Sequence, residues 1–221
     1  MIQQPQGIIF DFDGTILDSP RIGVEFCCQA ARILKLPLPE GMRGQLRKLW
    51  GRPADELIHT CWPNANVEEF LREWERIEAS QGVPMFSGMK EILTFLGEQY
   101  VLSILTSRQK QTLWRQFSDH NIGSFFRFVY ALEDCPFPKP DPRSIDLLFH
   151  DYHRIGVKRN SLIYIGDSAG ADYPLAKAAG IDFIGVTWGH STRQDFESAG
   201  LESEKIIDSI DDLQKLLSDF K

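Results

Sequence analysis

Ile8-Ile9-Phe10-Asp11-Phe12-Asp13-Gly14-Thr15 is a short apolar run that stops at two aspartates two residues apart. In an extended chain residues i and i+2 point to the same side, so both carboxylates face one way. An apolar run without polar alternation reads as a strand of a parallel sheet, buried on both faces. At the carboxyl end of such a strand, side chains meet the crevice where open α/β sheets bind ligands. Two like charges this close are costly unless a cation lies between them or one carboxyl keeps its proton. Either arrangement suits catalysis. Taken alone, a solvated turn with two aspartates is the plainer reading, and three later segments outweigh it.

Four more runs of the same kind lie at 101–105, 126–130, 162–165 and 183–186, each apolar and bounded by turn residues. Between them Met89 to Leu96, Gln111 to Phe117, Ser144 to Phe149 and Leu175 to Ala179 have helical spacing or composition. Strand-helix alternation implies right-handed crossovers and a doubly wound, Rossmann-like α/β core with a parallel sheet. Residues 19–84 break the alternation, with helical patterns separated by Pro and Gly and no strand. Ser19 before Pro20 reads as an N-cap followed by a first-turn proline. Val67, Phe70, Leu71, Trp74 and Ile77 form one apolar stripe on a helix, which reads as core packing. The expected organisation is a core of 1–18 and 85–221 interrupted by an all-helical domain at 19–84.

The chain has 221 residues, 43% hydrophobic and 25% charged, enough for one large core and a smaller satellite. A net charge of −7 argues against a nucleic-acid partner, which would need a cationic stripe. The opening MIQQPQGIIFDF has no cationic region followed by a long apolar one, and no run approaches the roughly 20 residues that cross a bilayer. The expectation is a soluble cytoplasmic protein with no membrane partner. Cys27, Cys28, Cys61 and Cys135 show no metal-binding spacing, and the first two are adjacent, so they read as buried thiols.

Three segments add chemistry to the opening pair. The run 101–105 ends in Thr106-Ser107-Arg108, placing hydroxyls and loop amides at the same sheet edge, where they can hold phosphate oxygens without adding charge. Lys139 stands between Pro138 and Pro140, a cation on a stiffened loop. The run 162–165 ends in Gly166-Asp167-Ser168-Ala169-Gly170-Ala171-Asp172, adding two carboxylates at a strand terminus. Oxygen ligands at this density fit Mg²⁺. Read singly, each has a bland counterpart: a helix-capping hydroxyl, a solvated lysine, a solvated turn.

In this order the four segments resemble the four motifs of the haloacid dehalogenase-like superfamily, specifically phosphatases similar to phosphoglycolate phosphatase with a helical C1-type cap inserted after the first motif. The likeness extends to Gly185-Val186-Thr187-Trp188-Gly189-His190 and a final strand at Ile206-Ile207-Asp208. It implies Asp11 as nucleophile, Asp13 as general acid/base, Thr106 as phosphate binder with Ser107 and Gly14 beside it, and Lys139 as charge balancer. It further implies Mg²⁺ as cofactor, held by Asp11, Asp13 through its backbone carbonyl, and Asp167, with Asp172 supporting the shell. The implied reaction is hydrolysis of a small phosphomonoester, a phosphorylated metabolite, through an aspartyl-phosphate. A few positions depart from the common pattern. Ser87-Gly88 replaces Pro-Gly, Ser107 stands where asparagine is usual, and Asp172 lies one residue further from Asp167 than is commonest. Two other readings share these features: a sugar phosphomutase, which differs in its cap, and a non-catalytic binding module, which would ordinarily have lost one of Asp11, Asp13, Lys139 or Asp167. Specificity is expected in the helical insert, with Arg52 in the Trp50-Gly51-Arg52-Pro53 loop the candidate anion grip. His190 and Arg108 are weaker candidates, each more readily read as a surface residue.

Overall fold

Strand β1 (Gly7–Phe10) lies inside an all-parallel sheet in the computed structural model, which describes residues 5–218. Beside it on one flank are β2 (Val101–Leu105) and then β3 (Phe126–Tyr130); on the other are β4 (Leu162–Gly166), β5 (Asp182–Val186) and β6 (Ile206–Ile207). The order β3-β2-β1-β4-β5-β6 is that of a doubly wound α/β fold. Ile8, Ile9 and Phe10 are fully buried, as a strand covered by helices on both faces requires.

The described residues divide into two compact units, one formed by the chain through Leu17 together with the chain from Met85, the other by Asp18–Pro84. The second unit is helical: α1 (Ser19–Ile33), α2 (Met42–Leu49), α3 (Ala54–Cys61) and α4 (Val67–Gln81). Asn66 caps α4 by accepting the Glu69 amide at 3.1 Å, and the helix buries Phe70 and Ile77. Within this unit Trp62 packs on Phe70 with ring centroids 5.0 Å apart, and a β-carbon at Gly23 would overlap the Trp50 ring. The stripe at 67–77 is therefore core, although Val67, Leu71 and Trp74 are only half-buried. Ser19 departs from the expected N-cap. The cap position is Asp18, whose carboxylate accepts from Arg21 Nε at 2.6 Å, and the Ser19 hydroxyl is buried without a hydrogen bond.

In the first unit the sheet is flanked by α5 (Met89–Gly97), α6 (Lys110–His120), α7 (Asp146–Arg154), α8 (Asp172–Ala179), α9 (Arg193–Ala199) and α10 (Ile210–Ser218). The stretch expected as a helix at 144–149 is split: a short 3₁₀ turn at Pro142–Ile145 hands over to α7 at Asp146. The chain leaves and re-enters this unit side by side, where Leu17 and Met85 form an antiparallel bridge and the Phe86 amide donates to the Ile16 carbonyl at 3.1 Å. All four cysteines are free, three buried and Cys135 half-buried. No helix among the described residues is long and apolar enough to cross a membrane.

Candidate active site

The sheet order reverses between β1 and β4, because the chain runs outward through β2 and β3 before returning to β4 on the far side of β1. Such a switch point opens a crevice at the carboxyl ends of its two strands. Asp11 leaves β1 there, its amide donating to Ile165 of β4 at 2.9 Å, and Asp167 leaves β4 next to it. Thr106 leaves β2 at the same edge.

Buried Lys139 is the hub. Its ammonium donates to Asp11 Oδ1 at 2.7 Å, to Asp172 Oδ1 at 2.7 Å and to the Tyr164 hydroxyl at 3.1 Å. That hydroxyl lies 3.1 Å from the Leu105 carbonyl and 3.2 Å from Asp172 Oδ1, either of which can accept its proton. Asp172 is fixed again at Oδ2, which accepts the Ser168 amide at 3.0 Å, and a β-carbon at Gly166 would strike its carboxylate. Asp167 accepts the His190 amide at 2.7 Å through Oδ2. Gly189 is obligatory for that approach, since a β-carbon would overlap both the Asp167 carboxylate and the Gly14 carbonyl.

Asp11, Asp167 and Asp172 each offer an oxygen within 4.8 Å of the others, and all three are buried. Burial pushes the Asp11 carboxyl up to about 7; Lys139 opposes the shift and Asp172 adds to it. Asp167 is raised well above the ordinary carboxylate range by burial and by the neighbouring Asp11 and Asp172. Burial works against the charge on Lys139, but Asp11 and Asp172 outweigh it and hold the ammonium well above its usual value. When all three carboxylates are ionised, one ammonium leaves an excess of two negative charges among hard oxygen donors, which protons or a divalent cation would balance.

The Asp13 side chain does not join this cluster. Both its oxygens face Arg108, with Nε donating to Oδ2 at 2.8 Å and Nη2 to Oδ1 at 2.6 Å. Arg108 therefore departs from the surface reading: its side chain is only 7% exposed, against 33% for Asp13. The Arg108 amide donates to the Thr106 hydroxyl at 3.1 Å, and its carbonyl accepts from Leu132 at 3.0 Å. Thr106 is buried and Ser107 exposed. The Gly14 amide donates to the Leu17 carbonyl at 2.8 Å in a left-handed turn with φ 77°. A left-handed residue without a side-chain penalty is what that turn needs. His190 is half-buried and contributes its amide, while burial lowers the pKa of its imidazole. Arg52, in the helical unit, is exposed and paired with Glu56 at 2.6 Å.

The switch point of this doubly wound α/β protein thus gathers clustered carboxylates, a lysine with a buried side chain and a loop of amides and hydroxyls, donors that could hold a cation and an anion. The sequence pattern of the haloacid dehalogenase-like hydrolases matches residues 8–186. The chain belongs to that family. Among its relatives are phosphoglycolate phosphatases of Pseudomonas putida, 26% identical over 96% of this chain and 79% of that one, and of Nitrosococcus oceani, 25% identical over 99% of each. Similar solved structures include a haloacid dehalogenase-like hydrolase of Streptococcus pneumoniae, with a TM-score of 0.76, 22% identity and 99% of each chain covered. Another is a HAD-hydrolase of Bacillus subtilis bound to magnesium, with a TM-score of 0.77, 20% identity, and 98% of this chain and 100% of that one covered.

Proposed function

We propose that this hydrolase is a Mg²⁺-dependent phosphatase that cleaves a small phosphomonoester by way of an aspartyl-phosphate on Asp11. The observation that carries the reading is the buried Lys139, bonded at once to Asp11 and Asp172 beside Asp167. The relatives named phosphoglycolate phosphatase support phosphate-ester chemistry.

Asp11, Asp167 and the backbone carbonyl of Asp13 would hold the ion, with Asp172 close by. Bound there, Mg²⁺ supplies positive charge that draws Asp11 into its ionised form and offsets its repulsion from the phosphate. Asp11 then attacks phosphorus, forming a P–O bond as the ester P–O bond breaks, while Asp13 delivers a proton to the departing alcohol. In the second half Asp13 takes a proton from water as that water displaces Asp11 from phosphorus. Thr106 and the loop amides face the phosphoryl oxygens, and Lys139 neutralises charge beside them.

The test is hydrolysis of p-nitrophenyl phosphate and a panel of phosphorylated metabolites, with Mg²⁺ and with excess chelator. Turnover is expected only with the metal, and beryllium fluoride should inhibit by occupying Asp11 as a phosphoryl mimic. Full activity in excess chelator would overturn the metal assignment.

A further inference from the structure

The amino-terminal edge of the sheet, opposite the catalytic crevice, carries a second concavity. Phe149, Tyr152, Val157 and Leu162 form its apolar part, and its volume is about 460 Å³. Sites for small molecules typically span about 300–1,000 Å³. Leu162 opens β4 and Asp167 follows its last residue, so the strand, roughly 16 Å long, separates the cavity from the clustered carboxylates.

The polar groups around the cavity are mostly basic. Lys158 and Arg159 sit side by side at the turn before β4, His150 and His153 come from α7, and Asp146 is the carboxylate in the lining. In a chain of net charge −7 this excess is local. It is also uncompensated: Arg43, Arg52, Arg143 and Arg193 each face a carboxylate at 2.6 Å, whereas among the described residues neither Lys158 nor Arg159 is paired with one. His150 already faces Asp151 at 3.8 Å, so the charge that matters is on Lys158 and Arg159. Arg159 is held in place without being neutralised. Its Nη1 donates to the Ala179 carbonyl at 3.5 Å, and its guanidinium lies over the ring of half-buried Phe149, 4.1 Å from the centroid. A guanidinium fixed in this way keeps N–H donors for a phosphate and offers a face on which a flat ring can stack.

We propose that this cavity binds a nucleotide-like anion, a phosphate or diphosphate joined to a flat and largely apolar body. The body packs against Phe149 and Arg159, and the phosphate lies on Lys158 and the remaining N–H groups of Arg159. A bare anion would leave the apolar wall in water, and a neutral ring would leave both cations unmatched. The site stands apart from the catalytic residues and does not depend on the phosphatase reading.

The test is a titration of the protein in chelator with ADP, adenosine and inorganic phosphate, followed by amide NMR spectra. ADP should move the signals of residues 157–162 and of α7, and should bind at least tenfold more tightly than adenosine or phosphate. Replacing both cations, Lys158→Ala with Arg159→Ala, should weaken ADP about 10- to 100-fold, the worth of charge-assisted hydrogen bonds, with nitrophenyl phosphate hydrolysis unchanged. Lys158→Ala alone, at an exposed side chain, decides the matter if the double variant does not fold. Signals that move only around Asp11, Thr106 and Asp167 would place ADP in the catalytic crevice and overturn the proposal. So would adenosine or phosphate binding as tightly as ADP, or ADP not binding at all. A protein that bound ADP here yet hydrolysed no phosphate ester would uphold this site and bring down the phosphatase reading.

Discussion

Asp11 and Asp13 follow the same strand two residues apart, yet they meet opposite surroundings. Asp11 is buried with Lys139, Asp167 and Asp172, and its carboxyl is pushed up to about 7. Asp13 is one-third exposed and faces the Arg108 guanidinium with both oxygens. The strand brings both residues to one sheet edge, and the neighbours supply the difference. A carboxylate crowded by like charge responds strongly to a cation, whereas one that is one-third exposed and already paired can exchange partners and protons.

The largest effect that could break this comparison is on Asp11. Asp11→Asn should cut turnover on the order of 10⁴-fold or more while the protein still folds, because the nucleophile is gone. Retention of a substantial rate, with deamidation excluded by mass spectrometry, would move the nucleophile elsewhere. Asp13→Asn should cost less, about 10²- to 10⁴-fold on alkyl phosphates. On p-nitrophenyl phosphate the first step needs little acid help, so rapid mixing should show a burst of nitrophenol and an accumulating phosphoenzyme. Equal slowing of aryl and alkyl esters, without a burst, would mean that Asp13 acts like the buried cluster and not as a proton carrier.

A third measurement sharpens the electrostatic half of the contrast. A carboxyl whose pKa rises on folding keeps a proton in the native state that the unfolded chain has already released. Metal-free protein should therefore lose stability as pH climbs from 3.8 towards about 7, and Asp11→Asn should flatten that slope. Mg²⁺ should restore the melting temperature most at the upper end of that range, with protons released on binding. Thermal melts in chelator and in Mg²⁺, read across this pH range, check both signs. The smallest expected effect is at Tyr164, whose hydroxyl sits between Lys139 and Asp172. Tyr164→Phe should lower kcat about five- to tenfold, the worth of one hydrogen bond, with KM little changed.

Legibility in the sequence followed burial and local pattern. The five longer strands match their expected positions to within a residue; the inner ones show as apolar runs because they are covered on both faces, whereas β3 at the sheet edge is only partly buried. Asp11, Lys139 and Asp167 stand out because carboxylates at strand ends and a lysine between two prolines are unusual locally. Arg108 does not, because its pairing with Asp13 depends on β1 and β2 being neighbours, which no local spacing shows. Tyr164 reads as an ordinary strand aromatic, and its role lies in where its hydroxyl ends. The amide of His190 and the bare backbone of Gly189 carry no side-chain signal, although their place just after β5, at the carboxyl edge, is the one hint available. Ser19 was misleading for a related reason: propensity favours serine as an N-cap, but Asp18 next to it takes the position.

The bridge between Leu17 and Met85 has a consequence for how this chain could have been assembled. A flexible insertion adds loop-closure entropy that grows with its length, by about 0.6 kcal/mol for each doubling. The segment Asp18–Pro84 is not a flexible loop of that kind, because it is a compact unit and its first amide donates to its last carbonyl at 2.9 Å. To the sheet it has the footprint of a hairpin turn. One helical module could thus be exchanged for another of different size at this junction during evolution, with the six-stranded scaffold and its carboxylates left in register.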